Sequence, residues 1–171
     1  MIVAGQGRQT AKEAIFQLLK RYFKPGKDIF IFEAEEKEID KFSFFLKNSK
    51  LPILAITGID EDSLLPKNLP VNTRFVLNYD NEKAKEINNL DNFKIMKFGF
   101  SEKNDIFVSD IKENGGTNFK INHKGSTVPF WFKKPLNKKQ INIVLSAVSV
   151  GIILGLNLIE ISQALKKIKN N

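Results

Sequence analysis

Residues 2–15 have the sequence IVAGQGRQTAKEAI, in which an apolar run, a glycine-containing turn and a helical pattern follow one another. Ile2 to Ala4 is typical of the end of a buried strand, and Gly5 to Arg8 is typical of a tight turn. Gln9 to Phe23 repeats apolar residues at helical spacing, which predicts a helix with one apolar face. The stretch therefore predicts a strand, a glycine loop and a helix in direct succession.

The same alternation continues along the chain. Asp28 to Phe32 is a second apolar segment, the residues up to about Asn48 have helical spacing, and Leu51 to Thr57 is a third apolar segment. Strands that alternate with helices predict a parallel sheet with helices on its faces. Because ligands of such sheets bind beyond the carboxyl ends of the strands, we expect the functional site at this edge.

The second half of the chain adds two predicted strands, and then the spacing of its apolar residues changes. Arg74 to Leu77 and Lys94 to Phe98 are predicted strands, and Glu82 to Asn89 is a predicted helix between them. From Asp105 to Phe132 apolar positions alternate with polar ones and are separated by glycine turns, which predicts an antiparallel meander. Two predicted helices close the chain: Lys139 to Leu154 and Leu158 to Lys169.

Length and composition narrow the fold and the kinds of site. A chain of 171 residues fits one domain, so we expect residues 1–171 to form a single unit. Its predicted class is α/β, a mostly parallel, P-loop-type sheet flanked by helices, with a small antiparallel meander. With no cysteine and one histidine, His123, the sequence excludes thiolate zinc sites, iron–sulfur clusters, cysteine nucleophiles and His-pair metal sites.

The net charge of +8 reflects 27 Lys+Arg against 19 Asp+Glu. The only arginines are Arg8, Arg21 and Arg74, and the remaining cations are lysines in a chain rich in Asn, Ile and Phe. This mixture is more typical of AT-rich coding bias than of nucleic-acid binding, which favours arginine clustered on one face. We therefore do not expect nucleic acid as a partner.

Ile141 to Ile159 is the one stretch that approaches the length of a membrane span. It is either a transmembrane helix or a buried core helix of an α/β domain. Polar residues such as Asn142 and Ser149 and the break at Gly155 favour the core helix. Because no signal peptide follows Met1, we expect a cytoplasmic protein with no membrane partner.

Five short motifs follow one another along the chain: residues 4–15 (AGQGRQTAKEAI), 32–34 (FEA), 57–59 (TGI), 77–80 (LNYD) and 98–101 (FGFS). Their order and spacing resemble the central, ATP-binding domain of the Mur ligases, which join amino acids to peptidoglycan precursors. The first motif is closest in style to the branch that adds D-alanyl-D-alanine. The resemblance covers nearly the whole chain, and we expect the family's N-terminal and C-terminal domains to be absent.

The resemblance implies ATP and magnesium as cofactors. It implies nucleotide-binding residues at Gly5, Gln6, Gly7, Arg8, Gln9, Thr10 and Asn142, and magnesium ligands at Glu33 and Thr10. In a phosphate loop, backbone N–H groups converge on the anion, a lysine reaches the terminal phosphates and a hydroxyl binds magnesium. Here Arg8 stands at the lysine position, Gln9 stands at the hydroxyl position, and Thr10 is one place late. We expect the loop amides to point into an anion pocket beside Glu33.

Each of these candidates has a purely structural alternative. Without the resemblance, the glycine loop is an ordinary turn between a strand and a helix. Glu33 is equally well explained as an acidic residue in the first turn of the next helix, where it favours the helix dipole. Asn142 is equally well explained as a helix-capping or solvent-facing amide. His123 lies in a predicted turn, where we expect an exposed rather than a catalytic side chain.

Other positions depart from the family's pattern. Gly58 and Ser63 stand at its asparagine and its metal-binding histidine, and Leu136, Lys138 and Lys139 stand at the Gly, His and Asn of its later helix entry. The helix that carries the family's carbamylated lysine has no room between Ser63 and Pro70, which leaves Lys67 as a solvated turn residue.

The family's reaction uses ATP to phosphorylate a carboxylate, which an amine then attacks. Such catalysis depends on positioning and electrostatics, so the loss of cation-holding groups predicts an impaired enzyme. We expect a Mur-ligase-like ATP-binding domain related to acid–amino-acid ligases, whose partners are a nucleotide and another chain that supplies the missing domains. The alternative is a non-catalytic binding or regulatory module that retains the ligase fold.

Overall fold

A computed structural model describes residues 1–59, 69–86 and 92–166 of the chain. In these ranges eight strands form one sheet: β1 (Ile2–Ala4), β2 (Phe32–Ala34), β3 (Ile53–Ile56), β4 (Arg74–Asn78), β5 (Lys94–Gly99), β6 (Ile106–Glu113), β7 (Thr117–His123) and β8 (Ser126–Phe132). The helices are α1 (Arg8–Leu19), a 3₁₀ helix (Glu36–Phe42), α2 (Ser43–Lys47), α3 (Glu82–Lys85), α4 (Lys138–Ile153) and α5 (Leu158–Lys166).

The sheet has the order β2-β1-β3-β4-β5-β6-β7-β8. Strands β1 to β6 pair in parallel, and β6, β7 and β8 pair antiparallel, which confirms the predicted class of a mostly parallel sheet with a small meander. Because β1 lies between β2 and β3, the strand order reverses at β1. The loop that follows β1 therefore lies at a topological switch point, where open α/β sheets bind their ligands.

Two apolar layers cover the sheet. Because side chains alternate along a strand, Val3 packs with α1, α4 and α5 on one face, whereas Ile2 and Ala4 pack with the 3₁₀ helix, α2 and α3 on the other. Helix α4 is buried along most of its length, as expected for a core helix. Among the described helices, none combines the length and the apolar character that a membrane crossing requires.

The second strand and the segment after it differ from the sequence prediction. Strand β2 begins at Phe32 instead of Asp28, because the backbone before it is used in local turns: the Gly26 N–H donates to the Ile29 carbonyl (2.9 Å) and the Lys24 N–H donates to the Asp28 carboxylate (2.8 Å). The predicted second helix is a 3₁₀ helix followed by the short α2. The ends of the predicted helices at Asn89 and Lys169 lie outside the described residues.

The first residue of the chain is part of the core. Met1 is buried, and its ammonium group donates a hydrogen bond to the Phe30 carbonyl (2.9 Å). Burial disfavours the charged form and lowers the pKa of this amine from 8.0 to about 6. The amine therefore binds its proton less tightly in the folded chain than in the unfolded one.

We expect the folding stability of the chain that begins at Met1 to rise between pH 6 and pH 8. Over this interval the unfolded amine binds more protons than the folded one, so deprotonation relieves a penalty on the order of 2 kcal/mol. Urea unfolding at a series of pH values measures this slope. A flat profile in this window would contradict the assignment.

Candidate functional site

The loop between β1 and α1 turns the chain from strand to helix within three residues. Gly5 and Gly7 have φ angles of 98° and 75°, which are unfavourable for residues that carry a Cβ. The Arg8 N–H donates to the Gly5 carbonyl (3.1 Å), and the Ala11 N–H donates to the Gly7 carbonyl (3.0 Å) to begin α1. The two glycines are therefore needed for the shape of the turn, whatever it binds.

Gly5 lies directly against the backbone that follows β3. A Cβ at Gly5 would lie 2.0 Å from the Gly58 carbonyl oxygen, so no side chain fits there. Thr57 secures the same contact, because its hydroxyl lies 2.6 Å from the Gln6 carbonyl and its N–H donates to the Ala4 carbonyl (3.0 Å). The glycine loop is therefore held against the carboxyl end of β3.

Polar side chains hold the end of β4 in the same way. The buried Asn78 amide donates to the Thr57 carbonyl (3.0 Å), and its oxygen accepts from the Asp80 N–H (3.2 Å). The Asp80 carboxylate accepts from the Phe100 N–H after β5 (2.9 Å). Asn81 accepts from the Ala84 N–H (3.0 Å) and so caps α3. These bonds fix the carboxyl ends of three neighbouring strands relative to one another.

A cavity of about 280 Å³ lies between these strand ends and the first turns of α4. Its lining consists of Gln6, Gly7, Thr57, Gly58, Asn78, Asp80, Asn81, Lys139, Asn142 and Ile143. The side-chain oxygen of Asn142 is buried without a hydrogen-bond partner in the described part of the chain. The glycine loop and α4 therefore face each other across a space lined with amides and backbone groups.

A second group of charges lies beside the loop, and we call it the charged cluster: Arg8, Lys12, Glu33, Glu35 and Lys37. Within it, Arg8 pairs with Glu35 (3.3 Å) and Lys12 pairs with Glu33 (2.8 Å). Lys37 also pairs with Glu35 (3.0 Å), which raises the pKa of Lys37 through the hydrogen bond and the charge. Because Arg8 and Lys12 are four residues apart on α1, both reach toward β2 and the residues after it.

The structure divides the predicted site residues between these two places. Gln6, Gly7 and Asn142 meet in the cavity lining, with Gly5 directly behind them. Arg8 and Glu33 belong to the charged cluster, and Gln9 and Thr10 are exposed on the first turn of α1 and do not line the cavity. This cavity therefore does not join the loop to Glu33, whose carboxylate pairs with Lys12, and one pocket formed by the loop and Glu33 stays a prediction.

The alternative explanation of Glu33 as a first-turn acid is wrong. Glu33 is the central residue of β2 and pairs with Val3 of β1. Among the described residues, no group of three or more His, Cys, Asp and Glu side chains could hold a metal ion. Ser63 and Lys67 lie outside the described residues. His123 lies in the meander, where its Nδ1 is 2.8 Å from the Asp105 carbonyl oxygen.

Sequence reasoning missed several lining residues. Asn78 and Asp80 belong to the motif at residues 77–80, but neither they nor Asn81 were named as site residues. Polar residues directly after a predicted strand are the signal that could have found them. Lys139 also lines the cavity, although the sequence identified it only as a departure from a family pattern. Because Lys139 lies more than one hundred residues after the loop in the sequence, no local pattern indicates that the two line the same cavity.

Comparison with solved structures identifies the architecture. MurF from Acinetobacter baumannii is 17% identical to this chain with a TM-score of 0.71, over 97% of this chain and 44% of MurF. The chain has a Mur-ligase-like fold. MurF from Thermotoga maritima, solved in complex with ADP, is 15% identical (TM-score 0.71) over 94% of this chain and 47% of MurF. The ligase MPL from Neisseria meningitides is 15% identical (TM-score 0.73) over 100% of this chain and 66% of MPL.

These similarities confirm the predicted likeness to the Mur ligase central domain at the level of fold. Because TM-scores for MurF, MPL and MurC from Thermotoga maritima are close (0.71, 0.73 and 0.68), the D-alanyl-D-alanine branch stays a prediction. The chain spans less than half the length of the two MurF structures. No family model and no curated protein sequence matches the chain.

We expect Gly5→Ala to destabilise the chain far more than Gly26→Ala. Both glycines have positive φ, but a Cβ at Gly26 meets no atom within 4 Å, whereas a Cβ at Gly5 collides with the Gly58 backbone. Gly26→Ala should lower the free energy of unfolding by roughly 1 kcal/mol, because only its backbone conformation is unfavourable. Gly5→Ala should lower it by about 3 kcal/mol or more. Urea unfolding of the two variants measures the difference, and equal costs would contradict the close contact.

Proposed function

We propose that the chain binds an adenine nucleotide in the cavity between the glycine loop and α4. The observation that carries this proposal is the position of the cavity at the switch point of the sheet, with Gly7 on one wall and Asn142 on the other. The Mur-ligase-like fold supports it, and one structure with that fold contains ADP.

The chemistry of the lining suits a polar ligand with hydrogen-bond donors. Asn142 lines the cavity, and its side-chain oxygen is buried without a hydrogen-bond partner in the described part of the chain. Once the side chain turns toward the cavity, an exocyclic amine of a base would satisfy this acceptor. A buried acceptor without a partner is energetically unfavourable. A hydrogen bond from the ligand to this oxygen therefore contributes more binding free energy than one to an exposed acceptor. The exposed loop residue Gly7 also lets a ligand approach the backbone closely.

Magnesium does not fit the residues that the resemblance assigned to it. Glu33 forms an ion pair with Lys12 (2.8 Å) and does not line the cavity, and Thr10 is exposed on α1 outside it. Magnesium prefers several oxygen ligands in octahedral geometry, and these two side chains do not provide them at the cavity. We therefore propose a nucleotide-binding module of ligase ancestry whose described residues do not carry out magnesium-dependent phosphoryl transfer.

A second candidate is a ligase domain that acts together with another chain. The observation that favours it is the matched fold, which covers 44% and 47% of the two MurF structures. In this case a partner chain supplies the remaining catalytic groups and the acceptor substrate, and the pair takes part in peptidoglycan precursor synthesis. A cytoplasmic location agrees with either candidate and is part of the proposal.

We expect ATP to bind with an affinity that magnesium changes by less than about twofold, because Asp80 is the only carboxylate among the described lining residues. Calorimetric titration of the 171-residue chain with ATP, in EDTA and in excess magnesium, measures this. ADP release should stay at the level of ATP incubated alone. A tenfold or larger gain with magnesium would favour the ligase candidate, and absence of binding in both conditions would reject the nucleotide proposal.

We expect Asn142→Ala to weaken ATP binding by roughly three- to tenfold, the worth of one neutral hydrogen bond. The change removes a buried oxygen that has no partner in the described residues, so folding stability should not fall. Asn118→Ala, on the meander away from the cavity, is the matched control and should bind ATP as the unchanged chain does. Equal affinities for all three proteins would show that Asn142 does not contact the nucleotide.

A further inference from the structure

Three cations lie near the glycine loop, and they differ in what they contact. Arg8 and Lys12 are held by Glu35 and Glu33 in the charged cluster. Lys139 enters from the opposite side, on α4, and lines the cavity. Within the described ranges, Lys139 is the only cationic side chain in that lining and it forms no ion pair within 4 Å.

We propose that Lys139 holds the phosphate groups of the ligand and thereby replaces Arg8 as the anion-binding cation. This inference rests on the proposed nucleotide binding and assigns its charged contact to a residue outside the glycine loop. The anion would lie between the backbone of Gly7 and the first turns of α4. An ammonium group of Lys is a strong donor to phosphate, and its flexible stem lets it reach across such a space.

The start of α4 fixes where Lys139 projects. Asn137 and Gln140 form a reciprocal capping box, with the Gln140 N–H donating to Asn137 (3.0 Å) and the Asn137 N–H donating to Gln140 (2.9 Å). Residues 139, 142 and 143 share one face of the helix, and all three line the cavity. The preceding Lys138 projects elsewhere, with its ammonium 5.8 Å from the centre of the Phe100 ring.

The charges around the cavity agree with this assignment. Asp80 is the acidic residue of the described lining, and its carboxylate accepts the Phe100 N–H (2.9 Å) at the end of β5. Arg8 would have to break its ion pair with Glu35 before it could contact a phosphate, whereas Lys139 forms no ion pair with the described carboxylates. An anion near Gly7 therefore gains most from Lys139.

The test measures the affinities of ATP, adenosine and inorganic pyrophosphate for the unchanged chain and for Lys139→Met, Lys139→Arg, Lys138→Met and Arg8→Met. Loss of one charge-assisted hydrogen bond predicts that Lys139→Met weakens ATP and pyrophosphate binding by about 10- to 100-fold. Adenosine binding should change by less than about twofold, because adenosine has no phosphate. Lys139→Arg should retain most of the affinity, and Lys138→Met and Arg8→Met should bind ATP as the unchanged chain does.

The outcomes separate this inference from the proposed function. If the unchanged chain binds ATP and adenosine but Lys139→Met does so equally well, the role of Lys139 is rejected and nucleotide binding stands. If Arg8→Met weakens ATP binding instead, Arg8 and not Lys139 is the residue that binds the anion. If the unchanged chain binds neither ATP nor pyrophosphate, both proposals fail. Because Lys139 is exposed, its variants should unfold at the same urea concentration as the unchanged chain.

Discussion

The close approach of Gly5 to Gly58 is the contact on which the candidate site depends. Backbone meets backbone there, and a single Cβ at Gly5 would lie 2.0 Å from a carbonyl oxygen. This contact brings the loop after β1 against the end of β3, and the Thr57 hydroxyl holds it through the Gln6 carbonyl. The space that remains between the loop, the strand ends and α4 is the cavity. Its shape is therefore a consequence of packing that holds without any ligand.

The direction of α1 separates the cavity from the charged cluster. Arg8 and Lys12 lie one turn apart on the side of α1 that faces β2, where they meet Glu35 and Glu33. These side chains are about one-third or more exposed, so each pair contributes little to stability, on the order of 1 kcal/mol or less. The pairs occupy the cation and the carboxylate that the resemblance placed at a phosphate and a magnesium ion.

Much of the fold could be predicted from the sequence because its signals are local. The alternation of apolar and polar residues in 105–132 predicted the meander. The apolar run, the glycines and the helical spacing of residues 2–15 predicted the strand, the loop and the helix. The partners of Arg8 and Glu33 could not be predicted, because they depend on how α1 lies across β2. Lys139 meets the loop only through the packing of α4. The packing of α1 and α4 on the sheet decides which predicted residues share the site, and a local stretch of sequence does not encode this packing.

The most direct test of the account is an amide NMR titration of the 171-residue chain with ATP, because it reports the location of binding residue by residue. We predict shifts at Gly7, Gly58 and Asn142, which surround the cavity, and little change at Glu33 and Glu35 in the charged cluster. Shifts centred on Arg8, Glu33 and Glu35, with Gly58 and Asn142 unchanged, would place the ligand on the other side of the loop and contradict the account.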